Sequence, residues 1–80
     1  MIDGDVSPGT LVRIVGDKGG FLDAYSFSER RLVGICKDGL DGKLAMIIHA
    51  HAPTKRQSKV LCEGNYYNVC NTCLSIVSAP

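Results

Sequence analysis

The chain reads as a small all-β barrel of five short strands, and three observations lead there. Its apolar residues fall in short runs or alternate with polar ones, as in TLVRIVG and LAMIIHAHA, instead of recurring every three to four residues. Glycine-marked turns separate those runs at Pro8-Gly9, Gly19-Gly20, Asp38-Gly39, Asp41-Gly42 and Gly64-Asn65, a spacing typical of compact β domains. Neither a long amphipathic helix nor an internal repeat is present.

Residues 1–9 form an extended lead-in and residues 10–80 a single domain. In the first strand, Val12 and Ile14 share one face while Arg13 takes the other. DKGG at 17–20 is a loop, since its glycines permit positive φ and nothing in it fills a core. FLDAYSFSERR at 21–31 fits a short helix or an aromatic-bearing loop. With no cap and no sustained helical period, it reads as a long excursion between strands. RLVGICK at 31–37 is the second strand.

After two Asp-Gly turns, LAMIIHAHA gives the most apolar strand, with Leu44, Met46 and Ile48 on one face and Ala45, Ile47 and His49 on the other. Both faces are largely apolar, which predicts a central position. PTKRQS at 53–58 is a polar, basic loop. A strand over 59–63, a turn at Gly64-Asn65 and a returning strand over 66–70 make a hairpin. Asn71 and Thr72 begin one turn of tight helix, and Leu74 to Ser78 closes the sheet.

The totals narrow the function. Eighty residues make one small domain near the size at which a lone core is marginal. A composition of 45% hydrophobic and 21% charged residues predicts a folded chain, not a disordered tail. Nine Lys and Arg against eight Asp and Glu leave a net charge of +1, too little to gather nucleic acid or anionic lipid by field alone. The opening MIDGDVSPGT has none of the pattern of a secretory signal, and the longest apolar run, LAMII, is far too short for a membrane span. The expectation is a protein made in the cytoplasm, with its four cysteines reduced.

PGTLVRIVG, a glycine-marked loop, an apolar strand and then VLCEGNYYNVCNTCLSIV resemble the small Src-homology-3-like barrels of tailed-phage genomes. Those barrels end in a strand, a Gly-containing tight turn, an aromatic-bearing strand, a short helical turn and a final Leu-x-x-Val strand. Val60, Gly64, Tyr67, Val69, Leu74 and Val77 occupy that pattern here. The resemblance implies a five-stranded Src-homology-3-like barrel with a short helical turn before the last strand. It also implies a virion, adaptor or nucleic-acid-associated module. The chain departs from the pattern in having Cys62, Cys70 and Cys73 where Trp or acidic residues usually stand, and no Trp at all. That argues against an aromatic groove for proline-rich peptides.

Two constellations carry chemistry. Cys70 and Cys73 form C-x2-C, a spacing that lets two thiolates share a metal ion or pair with each other. Cys36 and Cys62 stand alone on separate predicted strands, where cysteine also serves as a small buried hydrophobe. With all four as ligands, the chain would be a zinc-stapled module binding protein, or binding nucleic acid through Lys55, Arg56 and Lys59. His49 and His51 lie two apart at a strand end, without a third ligand at local spacing. A cysteine nucleophile with His49 as base has no oxyanion turn before Cys62 or Cys73.

The aromatic residues form the other constellation. Tyr66 and Tyr67 are adjacent, so one faces the interior and one faces out. An outward tyrosine with Phe21, Tyr25 and Phe27 would make a sticky patch, whereas inward rings would complete a small core. The favoured expectation is a non-catalytic module that binds a larger protein assembly, such as phage capsid or tail proteins, without a cofactor. It would use Phe21, Tyr25, Phe27 and the outward one of Tyr66 and Tyr67, or an exposed edge strand, and would be a minor or decorating virion component.

Overall fold

A computed structural model of the chain describes residues 7–50 and 56–80, with the side chain of Ala50 excepted. It is all-β, with seven strands where the sequence predicts five. In order these are β1 (Leu11–Ile14), β2 (Asp23–Ser26), β3 (Arg31–Gly34), β4 (Leu44–Ala50), β5 (Gln57–Cys62), β6 (Asn65–Cys70) and β7 (Leu74–Ser78). A 3-10 turn over Asn71–Cys73 links β6 to β7. Most of the lead-in, His51 and the start of the basic loop, Lys55 included, lie outside the described residues.

The strands form one antiparallel sheet in the order β3-β2-β6-β5-β4-β1-β7. Among the described residues no pairing joins β3 to β7, so the sheet is open and the closed five-stranded barrel is corrected. Six inter-strand steps of about 4.8 Å would spread a flat single layer about 29 Å wide and leave it thin. The molecule measures 28 × 25 × 23 Å, so the sheet is rolled around its own core.

The roll is held by segment 35–42, which folds back from β3 onto the end of β1. Gly16 N–H donates to Asp41 Oδ1 at 2.7 Å, and Cys36 Sγ donates to the Asp17 carbonyl at 3.3 Å. Gly42 N–H donates to the Ile14 carbonyl at 2.7 Å. A Cβ on Gly16 would sit 2.4 Å from Cys36 Sγ, so only glycine permits this approach.

Alternation sorts the side chains. Val12 and Ile14 of β1 point inward with Arg13 outward, as their pattern predicts. Ala45 and Ile47 of β4 are buried with Val60, Val69, Leu74, Ile35 and Val33 in one cluster. The central position of β4, between β1 and β5, is as expected. Its other face is not buried: Leu44 and Met46 remain exposed, because the roll covers only one side of the sheet.

Two sequence expectations need correcting locally. Segment 21–31 is not an excursion, because Asp23–Ser26 and Arg31–Gly34 pair as a hairpin around a four-residue turn in which Arg30 takes φ 55°. Its strands are four residues each, too short for alternation to declare itself. The predicted second strand therefore ends at Gly34, and Ile35 to Gly39 turn away. In the second hairpin the turn is Glu63-Gly64, one residue earlier than Gly64-Asn65, with φ 50° and 81° and Cys62 opposite Asn65. Positive φ at both positions matches the twist of the flanking strands.

Ser58, assigned by sequence to a loop, is fully buried in β5. Its hydroxyl donates to Asn71 Oδ1 at 2.7 Å, and Asn71 N–H donates to the Arg56 carbonyl at 2.8 Å. This pair ties the 3-10 turn to the sheet. Among the described residues no buried side-chain polar atom lacks a partner.

Candidate functional site

Among the described residues the core comprises thirteen side chains, none of them phenylalanine or tyrosine and two of them cysteines. The rings are accordingly left for the surface, with Tyr67 as the exception. Tyr66 faces outward and is 42% exposed, whereas Tyr67 turns inward and packs on the core. Burial pushes the Tyr67 phenol above its ordinary pKa, aided by nearby Cys62, Glu29 and Glu63 and opposed by a hydrogen bond from Asn65.

Cross-strand register assembles the outward residues into two rows. Leu11 of β1 lies opposite Met46 of β4, Met46 opposite Leu61 of β5, and Leu61 opposite Tyr66 of β6. Phe27, just after β2, continues that row by donating its N–H to the Tyr66 carbonyl at 3.1 Å. In the second row His49 lies opposite Lys59, Lys59 opposite Asn68, Asn68 opposite Tyr25, and Tyr25 opposite Leu32. Asn68 Nδ2 donates to Gln57 Oε1 at 2.8 Å.

Three of the five expected ring residues meet in this face. The Tyr25 and Phe27 rings stack edge to face, with centroids 5.1 Å apart at 85°. Lys59 Nζ lies 4.9 Å from the Phe27 centroid and 5.0 Å from that of Tyr66, so one ammonium serves two rings. Lys59 is the only Lys, Arg, Asp or Glu in the two rows. The cluster is a half-exposed aromatic and aliphatic face with one positive charge.

Phe21 stands apart from that cluster. It is 84% exposed, and its loop is shaped by Asp17, whose Oδ1 accepts from the Phe21 and Leu22 N–H groups at 3.0 and 3.4 Å. Sequence reasoning missed Lys59 as a ring partner and missed the Leu11, Met46 and Leu61 row. Neither depends on local spacing. Both depend on strand order, which brings together residues from four strands.

The cysteines are placed as packing groups. All four are free thiols. Cys62 and Cys73 are buried in the core, and burial pushes both thiols above their ordinary pKa. Burial also pushes Cys36 up, with the Asp41 and Asp17 carboxylates adding to it. Cys70 and Cys73 flank Thr72, whose hydroxyl lies 3.2 Å from one sulfur and 3.9 Å from the other. Among the described residues no group of three His, Cys, Asp or Glu side chains converges as a metal site. No helix among them is long and apolar enough to cross a membrane.

Comparison of the chain with protein-family models, with curated proteins and with solved structures finds no match.

Proposed function

We propose that this protein is a non-catalytic interaction module that docks its outer sheet face on a larger protein assembly. The observation that carries the reading is the surface cluster of Tyr25, Phe27 and Tyr66 around Lys59. A chain this small needs apolar burial, yet Phe27 and Tyr66 lie 40% and 42% exposed in a continuous row with Met46 and Leu61, and Tyr25 stacks on Phe27 from the neighbouring row. Aromatic residues with a flanking cation are the material of interface anchors. The partner chemistry this face fits is an apolar surface bearing one carboxylate or carbonyl for Lys59.

The Src-homology-3-like assignment belongs to the same proposal. Support for it is the ending, in which β5, a tight turn at Gly64, β6 with Tyr67, a 3-10 turn and β7 follow in the expected order. The β2–β3 hairpin is an addition inserted after β1 and paired to β6. A phage particle, with this protein as a minor or decorating component, is the setting that the resemblance suggests. The thiols support a non-catalytic role, because reactive cysteines need accessible thiolates and Cys36, Cys62 and Cys73 are held toward the protonated form.

The test is Tyr25→Ala combined with Phe27→Ala, followed by incorporation into the native assembly and by unfolding of the isolated protein. The expected result is loss of incorporation with folding retained, because both rings are outside the core. Loss of folding, or unchanged incorporation, refutes the assignment.

A further inference from the structure

Cys70 and Cys73 take no part in the docking face, yet the fold brings them together. They bracket the 3-10 turn that joins β6 to β7. Three residues at a rise of about 2.0 Å each leave the Cα atoms at the two ends of such a turn about 6 Å apart. Disulfides span Cα separations of about 4.4–6.8 Å. Thr72 Oγ1 lies 3.2 Å from Cys70 Sγ and 3.9 Å from Cys73 Sγ, so one hydroxyl touches both sulfurs. Cys70 also contributes to the upward push on the Cys73 thiol, an effect that requires proximity.

The backbone of the turn is fixed on every side. Asn71 N–H donates to the Arg56 carbonyl, Asn71 Oδ1 accepts from buried Ser58, Leu74 N–H donates to the Asn71 carbonyl, and Val15 N–H donates to the Cys73 carbonyl. Access to the two thiols differs. Cys73 is fully buried, whereas Cys70 is half-buried, and alternation along β6 places it on the outward side with Tyr66 and Asn68. The other cysteines are poorly placed to join them. Cys62 stands opposite Asn65 at the far end of β6, roughly 17 Å from Cys70 at the strand rise of about 3.4 Å per residue. Cys36 donates to the Asp17 carbonyl, and the Asp41 and Asp17 carboxylates oppose its ionisation.

From this arrangement we propose that Cys70 and Cys73 are a reversible dithiol–disulfide pair whose substrate is a low-molecular-weight disulfide. The Cys70 thiolate attacks one sulfur of that disulfide. The substrate S–S bond breaks, and its first half leaves as a thiol carrying the proton that Cys70 gave up. Cys73 then loses its proton and attacks the Cys70 sulfur, expelling the second half as a thiol. The two cysteines together lose two electrons and two protons, and the disulfide becomes two thiols. Thr72 Oγ1 is placed to donate to the Cys73 sulfur while it is a thiolate. Closure draws that sulfur from the core, and the resulting strain makes the bond one that thiols readily reopen. The proposal is independent of the aromatic-face reading.

Incubation of the isolated full chain with glutathione disulfide at about pH 8, near the ordinary cysteine pKa, tests it, with alkylation and peptide mass mapping as the readout. The native fold is expected to lose two of its four free thiols, with one bond joining Cys70 to Cys73 that dithiothreitol reverses. Cys73→Ser is expected to stop at a glutathione adduct on Cys70, and Cys73→Ala serves should the serine unfold the core. In Cys70→Ser the Cys73 thiol is expected to disappear at least about tenfold more slowly, because it is no longer reached through an exposed partner. Four persistent thiols, a bond to Cys36 or Cys62, an adduct on Cys70 that never closes in the unsubstituted chain, or unslowed loss of Cys73 in Cys70→Ser would each overturn the proposal.

Discussion

Replacing Glu63 by Asn separates the observed hairpin register from the one its sequence first suggests. Glu63 holds φ 50° as the first residue of a two-residue turn, followed by Gly64 at φ 81°. An ordinary L residue in this left-handed region carries about 1–2 kcal/mol of strain, which Asn largely escapes, and Asn-Gly is the favoured pair for this turn. Against that gain stands the Lys43–Glu63 ion pair, whose side chains are 43% and 62% exposed. Solvent screening leaves such a pair about 0–1 kcal/mol. Turn relief wins, and Glu63→Asn is expected to stabilise the fold by about 0.5–1 kcal/mol. In urea denaturation the midpoint should rise with an unchanged slope. If the turn were Gly64-Asn65, residue 63 would be a paired strand position. Asn is disfavoured there, and the ion pair would be lost as well. Lower or unchanged stability in the variant refutes the register.

Two further outcomes follow from the ionisable groups. Cys36, Cys62, Cys73 and Tyr67 all have pKa values raised above their ordinary 9.0 or 10.0. The folded chain thus keeps protons that the unfolded chain releases, and stability is full below pH 9 and falls as pH rises through the raised values. A urea midpoint that stays constant from about pH 8 to about pH 10.5 would refute this sign. Elemental analysis of protein purified without added metal is expected to find well below one zinc per chain. About one per chain would restore Cys36, Cys62, Cys70 and Cys73 as a ligand set.

The legible parts of the fold were those fixed by short-range chemistry. Val12, Arg13 and Ile14 alternate within four residues, and the run over 44–49 is apolar enough to demand a central strand. Gly64 marks a hairpin whichever neighbour shares its turn. The β2–β3 hairpin was not legible, because DAYS and RLVG contain only one fully buried apolar residue each, Ala24 and Val33. Register at Glu63 was missed because glutamate rarely adopts positive φ, and only pairing of Cys62 with Asn65 imposes it. For the candidate site, Tyr25 and Phe27 were visible as rings at close spacing. Their meeting with Lys59 and Tyr66 was not, since it arises from β6 being flanked by both β2 and β5. The same strand order decided which of two adjacent tyrosines reached solvent.

The placement of β1 also governs how the chain reaches this state. Leu11 pairs with Met46 on one side and Ser78 on the other, so β1 waits for two strands distant in sequence. The β5–β6 hairpin, closed by two residues, and the β2–β3 hairpin, closed by four, need only short loops and form on a microsecond scale. Docking β1 between β4 and β7 requires the large loop-closure entropies first. Domains dominated by such non-local pairings fold in roughly milliseconds to seconds. Until that step, β4 has a bare edge beside its apolar residues, and the barrier to acquiring the native state lies in covering it.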